Sequence, residues 1–176
     1  MYQRQVLSDL ICSPVIDRIV FVIFTFAIRS ASLITFSNVS ISFFIKWPAQ
    51  LGNNLDFMLD VGLIWDAKTT VKRAKSYEPY NLFWIEEPLH PDNYHGYRIV
   101  SDKCIQHIAA GEEECCMTGF KNLIDKGNID IVQIDVTRCG LTQAKKIADY
   151  ANLYGKKVCN HNFTTDINSA ASLHFL

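Results

Sequence analysis

The sequence lacks an excess of charge of either sign. Its 176 residues include 17 Lys and Arg side chains against 18 Asp and Glu side chains, so the formal net charge is −1. Proteins that attract nucleic acid phosphates or acidic lipids carry a basic surplus, which is missing here. Nucleic acid is therefore not an expected partner, and the length is that of one ordinary domain.

The sequence also lacks a cysteine framework. Its six cysteines form no Cys-x-x-Cys pair, and two of them, Cys115 and Cys116, are adjacent in the chain. Neither a zinc site nor a disulfide scaffold has this spacing. We therefore expect reduced thiols in an intracellular, cytoplasmic protein.

No hydrophobic run is long enough for a membrane span, although residues 19–45 contain only one charge, Arg29. The uninterrupted apolar part covers residues 19–28, whereas about 20 residues are needed to cross a bilayer. A span over the whole range would bury Arg29. We therefore expect no membrane span and interpret residues 1–48 as an atypical apolar leader, with a pair of buried strands as the alternative.

From residue 49 onwards the sequence has a regular period. Five short apolar runs end in Asp60, Glu86, Glu112, Asp135 and His161, which are spaced by 26, 26, 23 and 26 positions. A parallel strand must be followed by a crossover of a dozen or more residues, and this period leaves room for a helix in each crossover. The predicted fold is α/β, a partial (β/α)8 TIM-type barrel of about five βα units over residues 49–176.

Start and stop signals for helices lie between these runs. Asp66, Thr118 and Thr142 stand where a side chain would cap the first turn of a helix, and Gly127 and Gly155 follow the apolar stretches. Short polar residues at the start and glycine at the end are typical of helix termini. The three residues are therefore the predicted helix starts.

Three of the polar strand ends are carboxylates, namely Asp60, Glu86 and Glu112. In a β/α barrel the carboxyl ends of the strands form the face where active sites lie. Carboxylates that meet there repel one another unless a cation lies between them. Oxygen ligands without thiolate or paired histidine favour a hard ion, so the predicted cofactor is Mg²⁺.

The last two strand ends, Asp135 and His161, differ in chemistry from the first three. A histidine beside a carboxylate on a neighbouring strand is an arrangement that orients the imidazole as a general base. A metal together with a base favours removal of the proton α to a carboxylate, with the metal stabilising the resulting enediolate.

From about Leu51 to its end, the chain resembles the barrel domain of the enolase superfamily, in the mandelate racemase/muconate lactonizing enzyme group that includes acid-sugar dehydratases. The matching segments are LDVGLIWDA, WIEEPLHPDNYHGY, IAAGEE, VQIDVTRCGLTQAKKIA and CNHNFTTDINSAASLHFL. The resemblance implies that His161 is the base with Asp135 as its partner, and that Asp60, Glu86 and Glu112 bind magnesium. It also implies that Glu87 lies behind the metal ligands or faces solvent.

Two further residues flank the predicted Asp135–His161 pair in the sequence. Arg138 follows Asp135 by three positions, and Asn160 directly precedes His161. We expect both residues to lie directly around the catalytic pair, where they could contact the pair or the substrate. For Arg138, pairing with a neighbouring carboxylate and a plain surface position remain alternatives.

The sequence departs from the family's pattern at both ends. Nothing in residues 1–49 resembles the family's capping domain, and Lys46 stands only 14 positions before Asp60, too few for a complete βαβ unit. The chain also stops at Leu176, before the family's final strand. These departures suggest a truncated or mis-assembled gene product.

The predicted function is that of a magnesium-dependent carbon–oxygen lyase that dehydrates a sugar acid, a small-molecule carboxylate. A racemase or epimerase of a 2-hydroxy acid is the alternative enzyme, and it needs a second base on the opposite face of the substrate. A non-catalytic or membrane-tethered remnant is the alternative outside enzymes. Homo-oligomerisation is left open.

Overall fold

A computed structural model of the chain describes residues 19–24 and 55–176, and in these residues strands alternate with helices. The strands are β1 Ile19–Phe24, β2 Leu55–Asp60, β3 Leu82–Glu86, β4 His107–Ala110, β5 Ile131–Asp135 and β6 Lys157–His161. The helices are α1 Ala67–Tyr77, α2 Tyr94–Lys103, α3 Met117–Asn122, α4 Val136–Leu153 and α5 Asp166–Phe175. A short 3-10 turn, Glu78–Tyr80, follows α1, and a π-helical turn, Leu123–Gly127, follows α3.

The six described strands form one parallel sheet in the order β1-β2-β3-β4-β5-β6. Each strand therefore pairs with its neighbours in the sequence, which is the order of a β/α barrel and differs from the order of a doubly wound sheet. The register places Asp60 beside Glu86 and Asp135 beside His161. The predicted α/β half-barrel is confirmed.

Strand β1 comes from the apolar leader. It pairs with β2 from Ile19 beside Leu55 to Phe24 beside Asp60. The strand alternative is therefore right for residues 19–24, while the rest of the leader and Lys46 lie outside the described residues. No helix in the described ranges is long and apolar enough to cross a membrane. The boundary between the leader and the barrel domain stays a prediction.

The two faces of the sheet are both apolar near its middle. One face packs against the helices through side chains such as Phe57, Ile85 and Val132. The other face, the inner one, carries a smaller cluster of Met58, Trp84, Ala109 and Ile131. Successive residues of a strand point to opposite faces, so the polar strand ends two or four positions beyond these residues belong to the inner face.

The helix starts agree with the prediction at one of the three sites. Asp66 caps α1, because its side chain accepts a hydrogen bond from the Thr69 amide at 2.6 Å. Helix α3 begins at Met117 with Cys116 in the capping position, so the predicted cap at Thr118 is wrong by two residues. The range of α4 begins at Val136 directly after β5, but it contains two helical segments that meet at Gly140, whose φ of +74° and ψ of 154° are not helical. The second segment begins directly after Gly140, so the predicted start at Thr142 lies in its first turn, two residues beyond the break.

Candidate active site

Four of the five predicted strand ends are the last residues of their strands. Asp60, Glu86, Asp135 and His161 end β2, β3, β5 and β6. Glu112 differs, because β4 ends at Ala110 and Glu112 lies in the following loop. The physical reason is Gly111, whose φ of +127° turns the chain out of the strand.

His161 lies between two carboxylates. Its Nδ1 is 2.9 Å from Asp135 Oδ2, and its Nε2 is 3.2 Å from Glu112 Oε2. The His161 side chain keeps 19% of its surface exposed, whereas that of Asp135 keeps 2%. The imidazole is therefore held from behind by a buried carboxylate and remains accessible from the inner face of the sheet.

Asp135 receives several hydrogen bonds. Its Oδ1 accepts from the Thr137 amide at 2.8 Å and from the Thr137 hydroxyl at 2.6 Å. The Asn168 amide group donates to both oxygens at 3.3 and 3.4 Å. Burial raises the pKa of Asp135, but the bonds from Thr137 and His161 outweigh it, so the pKa lies below its ordinary value. An ionised Asp135 requires a hydrogen on His161 Nδ1, which leaves Nε2 as the proton acceptor.

The other three carboxylates lie in an environment of the opposite kind. Burial raises the pKa of Glu86 to about 7, and the charge of Asp60 adds to this effect. Burial, followed by the charges of Glu86, Glu87 and Asp60, raises the pKa of Glu112 to about 9. Burial also raises the pKa of Asp60, although the Gly62 amide donates to its Oδ1 at 2.9 Å. The three carboxylates thus disfavour one another's charge.

The chemistry of these three side chains fits a hard divalent cation. Their donor atoms are all oxygen, and a cation would remove the repulsion that raises their pKa values. In the part of the chain that the structure describes, no three Asp, Glu, His or Cys side chains are gathered closely enough to hold an ion as they stand. Binding an ion would therefore require Asp60, Glu86 and Glu112 to turn towards a common point.

Glu87 does not face solvent, so that alternative is wrong. The residue is 1% exposed. Its Oε2 accepts from the Tyr97 hydroxyl and its Oε1 from the Gly111 amide, each at 2.7 Å. Burial raises the pKa of Glu87 to about 7. The carboxylate is held behind the metal-ligand candidates, on the helix side of the sheet.

Arg138 and Asn160 are placed away from the His161 ring. Arg138 Nη2 is 2.9 Å from Glu113 Oε1, and both side chains are partly exposed. The alternative in which Arg138 pairs with a neighbouring carboxylate is therefore what the structure contains. Asn160 precedes His161 in β6 and shares the face of Val158, which packs with the helices. By the alternation of a strand, Asn160 points away from the inner face.

Several polar residues of the site were not predicted from the sequence. Trp84 and Gln133 lie two positions before Glu86 and Asp135, so strand alternation was a usable signal for both. Trp84 Nε1 donates to Glu86 Oε2 at 3.0 Å. The Gln133 Oε1 atom is buried and has no hydrogen-bond partner among the described residues. Asn168, which is 0% exposed, carried no such signal because it reaches Asp135 from α5, 33 positions along the chain.

Known proteins match most of this chain. An L-rhamnonate dehydratase of Saccharopolyspora erythraea is 32% identical over 134 residues, which are 74% of this chain and 33% of that enzyme. A D-xylonate dehydratase of Haloferax volcanii is 28% identical over 123 residues, which are 69% of this chain and 30% of that enzyme. The chain thus spans about a third of the length of these curated relatives.

Solved structures also match the fold of this chain. The 3,6-anhydro-D-galactonate cycloisomerase of Zobellia galactanivorans matches with a TM-score of 0.73 and 30% identity, over 78% of this chain and 39% of that chain. A mandelate racemase/muconate lactonizing enzyme-like protein of Roseovarius sp. TM1035 matches with a TM-score of 0.74 and 26% identity, over 78% and 35% of the two chains.

A protein-family model covers more than half of the sequence. It is described as the enolase C-terminal domain-like family, and it matches residues 47–176. This match, the parallel half-barrel and the relatives above confirm the family resemblance that the sequence motifs indicated. The chain belongs to the enolase C-terminal domain-like family.

Proposed function

We propose that this chain carries a magnesium-dependent site that removes the proton α to a carboxylate, and that the reaction is the dehydration of a sugar acid. The observation that carries the proposal is the 2.9 Å contact between His161 Nδ1 and Asp135 Oδ2. Relatives named as L-rhamnonate and D-xylonate dehydratases support the substrate class. The roles of the individual residues are part of the proposal.

His161 is the proposed base. Because Asp135 holds the hydrogen of Nδ1, the Nε2 atom is the one that accepts the α-proton of the substrate, once Glu112 turns away from its 3.2 Å contact with Nε2. The imidazolium that forms is stabilised by the Asp135 carboxylate and then donates its proton to the departing β-hydroxyl group. The hydroxyl leaves as water, and the enol that remains tautomerises to a 2-oxo-3-deoxy acid.

Asp60, Glu86 and Glu112 are the proposed ligands of Mg²⁺. A bound divalent cation supplies positive charge for the carboxylate oxygens of the substrate, which become more negative as the α-proton leaves. The raised pKa values of Glu86 and Glu112 support this assignment, since burial and then the charges of neighbouring carboxylates disfavour their ionised forms, and a cation would favour those forms. Gly62, with φ +62°, lets its amide donate to Asp60 Oδ1, which fixes one oxygen of that carboxylate.

A racemase or epimerase is the second candidate, and the similarity to the Roseovarius protein favours it. Racemisation needs a base on each face of the substrate, whereas dehydration needs one group that removes a proton and returns it. His161 with Asp135 supplies such a group. Dehydration is therefore the function that the described residues support better.

Magnesium titration followed by calorimetry tests the metal part of the proposal. The wild-type chain is expected to bind Mg²⁺, and the double variant Asp60→Ala, Glu112→Ala is expected to lose binding. Asp102→Ala is the matched control, because Asp102 pairs with Arg98 on the exposed surface of α2. A wild-type chain that binds no Mg²⁺, or a double variant that binds it as well as the control, would contradict the assignment.

Proton exchange tests the base separately from the elimination. L-rhamnonate and D-xylonate are incubated with the chain and Mg²⁺ in heavy water, and NMR follows the α-hydrogen and the appearance of a 2-oxo-3-deoxy acid. His161→Asn is expected to abolish both signals, and Asp135→Asn to reduce them about 100-fold or more. Loss of the α-hydrogen at equal rates in wild type and His161→Asn would refute the role of His161.

A further inference from the structure

Glu87 contacts the loops that follow three neighbouring strands. It directly follows β3, and its amide donates to Ala109 O of β4 at 2.9 Å. Its carbonyl accepts from the Leu63 amide, in the loop after β2, at 2.7 Å. Its Oε1 accepts from the Gly111 amide, in the loop after β4. These three segments carry Asp60, Glu86 and Glu112, so one residue connects all three proposed metal ligands.

The Glu87 side chain has an environment that fixes its position. The residue is buried at 1% exposure, and each of its carboxylate oxygens accepts one hydrogen bond of 2.7 Å. The hydroxyl of Tyr97, which supplies one of these bonds, is also 2.9 Å from Leu89 O. Tyr97 is itself 0% exposed on α2. The carboxylate therefore has little freedom to turn away from Gly111.

The backbone of Glu87 also has an unusual conformation. Its φ is +39°, in the left-handed region that non-glycine residues rarely adopt. Such a conformation is strained and persists where surrounding contacts determine it. The hydrogen bonds to Leu63 and Ala109 are contacts of this kind, since they hold the peptide groups on both sides of the residue.

Gly111, whose amide donates to the Glu87 carboxylate, has little room to move. With φ +127°, a Cβ at this position would lie 2.6 Å from Gln133 O and 2.8 Å from Phe120 Cε1. The chain therefore passes close to β5 at this point, and the Glu87 carboxylate holds the Gly111 amide from the other side. Glu112 is the next residue, so its backbone position follows from this arrangement.

We propose that Glu87 is a positioning residue that sets the spacing of the three magnesium-ligand candidates. It acts through its hydrogen bonds to the loops after β2 and β4 and does not touch the ion. The inference rests on the proposed function for the magnesium ligands. The hydrogen bonds themselves exist in the metal-free chain, so they are testable without the metal.

Two substitutions separate the hydrogen bonds of Glu87 from its charge. Glu87→Leu keeps a similar volume and removes both acceptor oxygens. Glu87→Gln removes the charge but keeps an oxygen that accepts from the Gly111 amide. Its NH2 group then donates to the Tyr97 hydroxyl, whose single hydrogen turns to Leu89 O, 2.9 Å away. If hydrogen bonding positions the loops, the glutamine variant rescues what the leucine variant loses.

The first measurement is amide hydrogen exchange on the metal-free chain. Glu87→Leu is expected to speed exchange at Gly111 and Leu63 at least tenfold, while the amides of β5 and β6 keep their protection. Glu87→Gln is expected to stay within about threefold of wild type. If Glu87→Leu does not fold, Tyr97→Phe removes one hydrogen bond of the carboxylate and is expected to speed exchange at Gly111. Tyr94→Phe is the control, since Tyr94 lies on the same helix and bonds to Glu114 instead.

The second measurement is Mg²⁺ affinity by calorimetry on the same proteins. Loss of a partner that orients a metal ligand costs about 10–100-fold in affinity, so Glu87→Leu is expected to lose that much and Glu87→Gln clearly less. Unchanged exchange at Gly111 and Leu63 in the leucine variant would overturn the proposal. Equal losses of affinity in both variants would overturn it too, because charge would then be the cause. A wild-type chain without Mg²⁺ binding refutes the proposed function, and the exchange data still decide whether Glu87 positions the loops.

Discussion

The ends of β2, β3 and β4 differ in their electrostatics from the ends of β5 and β6. The pKa values of Glu86 and Glu112 are raised to about 7 and about 9 by burial and then by the charges of neighbouring carboxylates. The pKa of Asp135 is lowered instead, although burial acts on it in the raising direction as well. The two regions belong to one sheet and meet at His161, which contacts both Glu112 and Asp135, yet they favour opposite states of a carboxyl group.

Hydrogen-bond donors explain this difference better than burial does. Asp135 is 1% exposed and Glu86 is 8% exposed, so both are buried. Asp135 faces donors on Thr137, Asn168 and His161. Among the described residues, Glu86 has donors only on Trp84, with Nε1 at 3.0 Å, and on Gln133, and it faces the negative charge of Asp60. The β5–β6 side therefore stabilises its charge with protein groups, whereas on the β2–β4 side burial and neighbouring carboxylates disfavour the charged form.

The largest effect is expected from removing a negative charge at the ends of β2–β4, where burial and neighbouring carboxylates raise the pKa values. Glu112→Gln removes a carboxylate whose pKa is raised from 4.5 to about 9. A raised pKa means that the folded state holds the proton more tightly, so stability falls as the pH rises from about 4.5 towards 9. We expect the variant to be about 2–4 kcal/mol more stable than the wild type at pH 8 without metal. At pH 4 the two are expected to be equal, and urea unfolding at both pH values measures the difference.

The control for this prediction is Glu113→Gln. Glu113 lies in the same loop and forms a partly exposed ion pair with Arg138, so this variant is expected to change stability by no more than about 1 kcal/mol. A wild-type protein whose stability rises between pH 5 and pH 8 would show that the repulsion is absent. Saturating Mg²⁺ is expected to remove the advantage of Glu112→Gln, since the ion binds the charged carboxylate.

A smaller effect is expected from placing a second carboxylate beside Asp135, at the end of β5. Asn168→Asp replaces the amide that donates to Asp135 at 3.3 Å by a second carboxylate. Two carboxylates at that distance raise each other's pKa, so we expect a loss of about 1–3 kcal/mol at pH 7 and less at pH 4. Asn168→Ala, which only removes the hydrogen bond, is expected to cost about 1 kcal/mol.

Urea unfolding gives the stabilities, and the ¹⁵N shifts of His161 report which ring nitrogen carries the hydrogen. Asn168→Asp is expected to disturb that preference, and Asn168→Ala to keep it. Asn152→Asp adds the same charge at an exposed position of α4 and serves as the control. If Asn168→Asp behaves as the control does, the donors of Asp135 are not the cause of its low pKa.

Features with a local or periodic signal were predictable from the sequence. The apolar runs with polar ends predicted the strands of the half-barrel, and four of the five ends are where they were expected. Asp66 was predictable as a cap because its side chain bonds to an amide three residues ahead. The Asp135–His161 contact joins neighbouring strands in register, so it follows from the same periodicity. The catalytic and metal-binding roles of these residues remain predictions.

Features that depend on distant parts of the chain were not predictable in this way. The burial of Glu87 depends on Tyr97 and on Gly111, 24 positions away. The sequence offered only two consecutive acids before a proline, which is compatible with exposure. Helix α4 begins at Val136 because Asp135 at the end of β5 also caps it, so one residue serves two elements. The signal at Thr142 marked only the second helical segment of this range, which starts after the non-helical Gly140, and it carried no information on the first segment.

The smallest effect is expected at the border of the two regions, at the ion pair between Arg138 of α4 and Glu113. Their side chains are 42% and 35% exposed, so Arg138→Ala is expected to cost no more than about 1 kcal/mol and to lose that effect in high salt. Arg98→Ala is the matched control, since the Arg98–Asp102 pair has the same 2.9 Å distance and similar exposure outside the site. Glu113 adjoins Glu112, so Mg²⁺ affinity is measured for both variants by calorimetry. A tenfold change in Arg138→Ala alone would mean that the charge of α4 reaches the metal-ligand candidates, and the two regions would then be electrostatically one.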